Sequence, residues 1–194
     1  MLKLVGAKKI NIAVFISGNG SNFKNLILDS LKKKSEYEIK LVISNKATAK
    51  GLKYARKFKI KKKIINYLNK KNAEKIILIE LKKNKIDLVC LAGFMKILSK
   101  SFIKKFKGKI MNIHPSLLPK YKGLNTHQRT INNKEKYSGC TVHYVNSKLD
   151  SGKIILQKKV KILKTDTSSS LAKKILKQEH ILYPKALKKV LTSL

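Results

Sequence analysis

Apolar positions along this chain fall into short blocks that alternate between two periods. Residues 10–16, INIAVFI, form a near-continuous apolar run closed by turn residues, the profile of a strand buried on both faces of a parallel sheet. Phe23, Leu26, Ile27 and Leu31 then recur at helical spacing. The same reading predicts strands over 38–43, 63–66, 86–91 and 110–113, with helices over 49–58, 73–83 and 99–106 between them. Beyond these, segments 139–145 and 154–160 read as strands joined by a short turn, hence antiparallel neighbours. A long helix capped within 167–170 carries Leu171, Ile175, Leu176 and Glu179 and is predicted to reach Tyr183, where Pro184 should end or kink it. The alternation predicts an α/β fold: a Rossmann-like open, mostly parallel sheet with helices on both faces and an antiparallel strand addition in the C-terminal half. No internal repeat or long linker divides the chain, so residues 1–194 read as one domain.

In open parallel sheets, ligands sit beyond the carboxyl ends of the strands. Two such ends carry candidate chemistry. The turn Ser17-Gly18-Asn19-Gly20-Ser21-Asn22 joins a strand to a helix, a geometry that offers backbone N–H groups and a positive helix end to a phosphate. Ser21 or Asn22 is a candidate helix cap. The G-x-G-x-x-G fingerprint is not met and no P-loop lysine–hydroxyl pair follows, so a mononucleotide-type phosphate fits better than a dinucleotide. The second end is 108–123, GKIMNIHPSLLPKYKG, where Asn112 and His114 share one face of a strand before the turns at Pro115 and Pro119. Taken alone, N-x-H is equally a turn-capping asparagine beside an ordinary loop histidine.

Composition narrows the setting. With 194 residues and 43% hydrophobic content the chain can bury a sizeable core. Forty-six basic residues against ten acidic ones give a formal charge of +36, which would ordinarily point to nucleic acid. Yet only Arg56 and Arg129 are arginine, and bidentate reading of phosphates and bases favours Arg. Lysine, isoleucine and asparagine are abundant together, as A/T-rich codons would produce, so runs such as 32–34 and 61–63 read as solvated surface and a nucleic-acid partner is disfavoured. The field should still attract anionic small molecules, less so in salt. Cys90 and Cys140 read as reduced, buried thiols, and the four histidines show no zinc-site spacing, so no metal is expected. The start, MLKLVGAKK, lacks an apolar leader core and no apolar run is long enough to span a membrane, which together suggest the cytoplasm.

Four segments, 17–22, 91–99, 112–127 (NIHPSLLPKYKGLNTH) and 139–155 (GCTVHYVNSKLDSGKII), resemble phosphoribosylglycinamide formyltransferases in order and spacing over nearly the whole chain. The resemblance implies the formyltransferase fold and transfer of a formyl group from 10-formyltetrahydrofolate, a co-substrate, to the amine of glycinamide ribonucleotide in purine biosynthesis. It implies a catalytic set of Asn112, His114 and Asp150, and a substrate phosphate on Gly20, Ser21 and Asn22. Glu179 is implied at the ribose–glycinamide end. Folate is implied against Met95, Lys96, Ile97 and Leu98, beside Asn112, and along Asn146, Ser147, Lys148, Leu149 and Asp150, with Lys70 near its tail. The N-terminal half would then hold the ribonucleotide, the C-terminal half the folate and the chemistry, in a monomer or weak homodimer. Lys122 and Asn125 depart from the family pattern, which commonly has proline and histidine there. Methionyl-tRNA formyltransferase, formyltetrahydrofolate deformylase and a lysine-rich nucleic-acid-binding protein are the alternatives.

The implied trio suits acyl transfer. An amine attacks the formyl carbon, charge develops on its oxygen, and the Asn112 amide and a protonated His114 are suitable donors to it. A histidine also moves protons at neutral pH, and the Asp150 carboxylate would stabilise an imidazolium beside it. The amine is itself a nucleophile, so direct transfer is expected rather than a covalent enzyme intermediate.

Overall fold

A computed structural model describes residues 9–192. Residues 1–8, on which most of the leader reading falls, lie outside the described residues. In chain order the elements are β1 (Ile10–Ile16), α1 (Ser21–Ser30), β2 (Tyr37–Ser44), α2 (Leu52–Lys57), β3 (Lys61–Ile64), α3 (Lys70–Lys83), β4 (Leu88–Leu91), α4 (Lys100–Lys105), β5 (Lys109–His114), α5 (Thr126–Asn132), β6 (Tyr137–Tyr144), β7 (Ile154–Lys161) and α6 (Ser168–Leu191).

The strands form one seven-stranded sheet in the order β3-β2-β1-β4-β5-β6-β7. The first five are parallel and the last two antiparallel, as the alternation of periods predicts. Strand β1 divides its side chains by parity: Ile12, Val14 and Ile16 enter one apolar layer, Ala13 and Phe15 the other. Helices α1, α2 and α6 cover the first layer and α3 and α4 the second, through residues such as Leu26, Leu187, Ile77 and Phe102. Every strand of the parallel core is therefore buried on both faces, apart from the edge. That edge is β3, whose Lys61-Lys62-Lys63 run keeps a lone strand flank soluble.

Several boundaries differ from the sequence reading. Strand β3 is Lys61–Ile64 rather than 63–66, because Asn66 already accepts from the Leu68 N–H in a turn. Helix α3 starts at Lys70 since Asn69 caps it, accepting from the Asn72 N–H at 3.0 Å. Neither Ser21 nor Asn22 caps α1; Gly20 occupies that position at φ 68° and the Asn22 side chain is used elsewhere. Helix α6 does not end at Tyr183. Pro184 has no N–H to give to the His180 carbonyl, and Asn25 Nδ2 donates to that oxygen instead, so the helix continues to Leu191. One residue earlier, the fully buried Tyr183 hydroxyl donates to the Leu91 carbonyl at 2.9 Å, with the Met111 carbonyl at 3.3 Å. This ties α6 to the carboxyl ends of β4 and β5. Cys90 and Cys140 are both buried free thiols, and burial pushes each up to about 12. Among the described residues, no helix is long and apolar enough to cross a membrane.

Candidate active site

Chain direction away from β1 reverses between β1 and β4, and that switch point opens a crevice at the carboxyl ends. The Ser17 hydroxyl ties together the loops at these strand ends: its oxygen accepts from the Met95 N–H at 2.8 Å and it donates to Asn45 Oδ1. The Ser17 N–H donates to the Gly93 carbonyl, so the loop 93–98 is hung from the end of β1. Gly20 and Gly51 approach closely behind it; a Cβ on Gly20 would sit 2.7 Å from the Gly51 Cα, and φ at Gly20 is left-handed.

The crevice holds a cavity of about 900 Å³, a volume suited to a ligand of drug or cofactor size. Asn22 and Glu179 line it together with Asn112, His114, His143 and Asp150. Met95, Ile97, Leu124 and Leu149 stand at its rim, each roughly half exposed or more, an apolar lip beside the cationic Lys96 and Lys148. Exposed apolar side chains in such an arrangement can pack against an apolar ring, and the lysines attract anionic groups.

Strand β5 delivers Asn112 and His114 to the same side, and β6 runs antiparallel beside it so that Asn112 pairs with His143. His143 Nδ1 donates to the Tyr144 carbonyl at 2.8 Å, which leaves Nε2 as an acceptor. Burial holds His143 below the usual imidazole value, keeping it neutral; the Tyr144 contact and Asp150 oppose this less strongly. Its Nε2 therefore accepts from Asn112 Nδ2 at 3.2 Å and fixes which way the amide faces. One Asn112 N–H remains to point at a ligand.

His114 is held between two oxygens. Its Nε2 donates to the Tyr121 carbonyl at 2.8 Å, and its Nδ1 lies 3.4 Å from Asp150 Oδ2. A proton on Nδ1 would lie between the ring and the Asp150 carboxylate. Asp150 sits at φ 44°, in the turn between β6 and β7, and its Oδ2 also accepts the Gly123 N–H at 2.8 Å. Its Oδ1 lies 3.7 Å from His143 Nε2. The turn is possible because Gly152 lacks a side chain: a Cβ there would meet the Tyr144 carbonyl oxygen at 1.7 Å.

Elsewhere in the lining, Asn22 Nδ2 donates to Glu179 Oε2 at 2.7 Å. Glu179 is buried, and burial raises its carboxyl above the usual 4.5 although the Asn22 bond opposes the rise. The other Asn22 polar atom, Oδ1, is buried without a partner, as is His127 Nδ1 nearby on α5. Burial and the neighbouring His114 lower His127 below its usual value.

Of the residues read from the sequence, Asn22, Met95 to Leu98, Asn112, His114, Asn146 to Asp150 and Glu179 all line this one cavity. Gly20 and Ser21 do not line it but start α1 immediately beside Asn22. Lys70 opens α3 and is not part of the lining. The sequence reading does not name His143 among the site residues; the β5–β6 register sets it opposite Asn112. Phe94, Thr126, His127 and Ser168 were also missed, the first because it reads as core, the others because they lie on helix starts. The two departures from the family pattern have local uses: Lys122 donates to the Ser151 hydroxyl at 2.6 Å, and Asn125 takes the left-handed position, φ 55°, before α5. Among the described residues there is no cluster of three or more His, Cys, Asp or Glu side chains that could hold a metal ion.

Comparison with known proteins gives a consistent result. The sequence profile described as "Formyl transferase" matches residues 10–187. The phosphoribosylglycinamide formyltransferase of Haemophilus influenzae is 42% identical over 91% of this chain and 85% of its own length. Its counterpart from Escherichia coli is 40% identical over 90% of this chain and 84% of its own. The human trifunctional purine biosynthetic protein adenosine-3 is 43% identical over 94% of this chain, which spans only 18% of that protein's length. Among solved structures, the phosphoribosylglycinamide formyltransferase from Brucella melitensis superposes with a TM-score of 0.89 at 43% identity, covering 94% of this chain and 96% of that one.

Proposed function

The chain belongs to the formyl transferase family, and from that premise we propose that it moves the formyl group of 10-formyltetrahydrofolate onto the amine of 5'-phosphoribosylglycinamide, a step of purine biosynthesis. The observation that carries the proposal is that Asn112, His114 and Asp150 line a single cavity of about 900 Å³ together with Asn22 and Glu179. A cavity of that volume leaves room for two substrates to meet against these side chains.

In this reading the ribonucleotide phosphate lies on Gly20, Ser21 and Asn22 at the positive end of α1, with Glu179 toward the glycinamide. The folate lies along Met95 to Leu98 and the loop Asn146 to Asp150; Lys70, outside the cavity, is a candidate only for a tail that extends beyond it. The substrate amine attacks the formyl carbon, the C–N bond to the folate nitrogen breaks, and one proton passes from the amine to that nitrogen. The free Asn112 N–H and the Nδ1–H of a protonated His114, the ring nitrogen not committed to the Tyr121 carbonyl, donate to the oxygen as its charge grows. His114 carries the proton, and Asp150 supports the imidazolium while it does. His143 holds the Asn112 amide in its donor orientation throughout. No net proton is gained or lost, and no covalent enzyme intermediate is required.

The chain is read as one unit over 1–194, its N-terminal half holding the ribonucleotide and its C-terminal half the folate, working in the cytoplasm as a monomer or weak homodimer. The +36 charge concentrates anionic substrates rather than serving a nucleic-acid partner. The test is consumption of 10-formyltetrahydrofolate by the purified chain with and without glycinamide ribonucleotide. Amine-dependent consumption supports the transferase; amine-independent consumption supports a deformylase; none, with tight salt-dependent tRNA or duplex binding, supports a nucleic-acid-binding protein.

A further inference from the structure

Forty-four of the 46 basic residues are lysine, and of the two arginines, Arg56 and Arg129, it is Arg129 whose side chain bonds the loop beside the candidate site. Arg129, in the last turn of α5, does not line the cavity. Its Nη1 donates to the Lys122 carbonyl at 2.7 Å and lies 3.3 Å from the Leu124 carbonyl. These two carbonyls flank Gly123, whose N–H donates to Asp150 Oδ2. The guanidinium also lies 5.4 Å from the Tyr121 ring, and the Tyr121 carbonyl accepts from His114 Nε2. One side chain therefore braces both backbone groups that fix the His114–Asp150 pair.

That loop needs a brace. Tyr121 and Gly123 both sit in the left-handed region, at φ 55° and 78°, and a tyrosine there is held against its own preference. The Tyr121 hydroxyl is anchored from the far side, donating to Glu135 Oε1 and accepting from Asn133 Nδ2, both at 2.9 Å. Arg129 closes the remaining side, joining the ring and the two carbonyls in one planar group.

We infer that Arg129 is a positioning residue for the His114–Asp150 pair, acting through the backbone of Tyr121 and Gly123 without touching a substrate. The assignment rests on the formyl-transfer reading. A lysine keeps the charge and can reach a carbonyl, but it has no planar group to lay over the Tyr121 ring while it does so.

The test compares the purified wild-type chain with Arg129→Lys and Arg129→Ala under saturating 10-formyltetrahydrofolate and glycinamide ribonucleotide. Wild-type amine-dependent transfer must be present first; its absence refutes the functional reading, not the brace. With transfer present, both variants should lose roughly ten- to a hundredfold in kcat, the cost of a small misplacement of reacting groups, while both KM values stay within about threefold. Added guanidinium should restore part of the loss in Arg129→Ala. A kcat for Arg129→Lys within about twofold of wild type overturns the inference, as does a loss confined to KM. A drop in Tm with kcat unchanged per folded molecule assigns Arg129 to stability alone and also overturns it. If Arg129→Ala does not fold, Arg129→Lys decides.

Discussion

Replacing Asp150 by asparagine removes a charge while keeping every contact of known direction. The Gly123 N–H must keep an acceptor, so the amide oxygen takes the Oδ2 position, 2.8 Å from that nitrogen and 3.4 Å from His114 Nδ1. The amide NH2 then takes the Oδ1 position, facing the lone pair of His143 Nε2 at 3.7 Å. Loop and turn survive, and only the charge behind the imidazolium is lost. At 3.4 Å the bare attraction is about 5 kcal/mol for an effective dielectric constant of about 20. Desolvation and the neutral hydrogen bond that persists reduce this to the usual net value of a charge-assisted bond, about 1.5–3 kcal/mol. If that support is present when the proton is on His114, kcat should fall roughly 10- to 150-fold. The assay is the rate of formyl transfer to glycinamide ribonucleotide at saturation, with circular dichroism showing the variant folded. Turnover within about threefold of wild type would refute the role given to the carboxylate.

Three other changes probe the frame around the site. Glu179→Gln should make the protein more stable at neutral pH while cutting turnover, because the folded state raises the Glu179 carboxyl and so favours its neutral form. The sign follows: that favourable contribution is complete below about pH 4.5 and is lost as pH rises through the raised value, so the variant's advantage should vanish in acid. Denaturant unfolding at pH 4 and pH 7 reads it, and an advantage equal at both would contradict the burial argument. Gly152→Ala, whose new Cβ would lie 1.7 Å from the Tyr144 oxygen, should displace the Asp150 turn and lower both Tm and kcat; a wild-type kcat would mean the turn does not set the carboxylate. Tyr183→Phe removes the donor shared by the Leu91 and Met111 carbonyls without opening a cavity. It should cost about 1–3 kcal/mol, seen as a Tm lower by roughly 2–12 °C, and an unchanged Tm would show those carbonyls satisfied otherwise.

The layered sheet was legible because its signal is local. Residues 10–16 are too short a run for a typical helix, closed by turn residues and rich in β-branched side chains, so they read as a strand buried on both faces. Asn112 and His114 shared a face by period alone, and the resemblance named Asp150 and Glu179 as their companions. What the sequence hid depends on pairing across the fold. His143 faces Asn112 because β6 runs antiparallel to β5 in one register, and a shift of one residue would have turned it away. Asn22 read as a cap, yet its partner Glu179 lies 157 positions further on. Pro184 read as a helix end because the donor that replaces its missing N–H, Asn25, comes from another helix. Local rules fail where a distant side chain supplies what the local backbone lacks.

The account stands on His114 as the group that carries the proton between amine and folate nitrogen. The direct measurement is formyl transfer by purified, folded His114→Ala with both substrates saturating. The account predicts a kcat at least about a hundredfold below wild type, within the range general acid–base catalysis supplies. A His114→Ala enzyme that transfers formyl at the wild-type rate would contradict it.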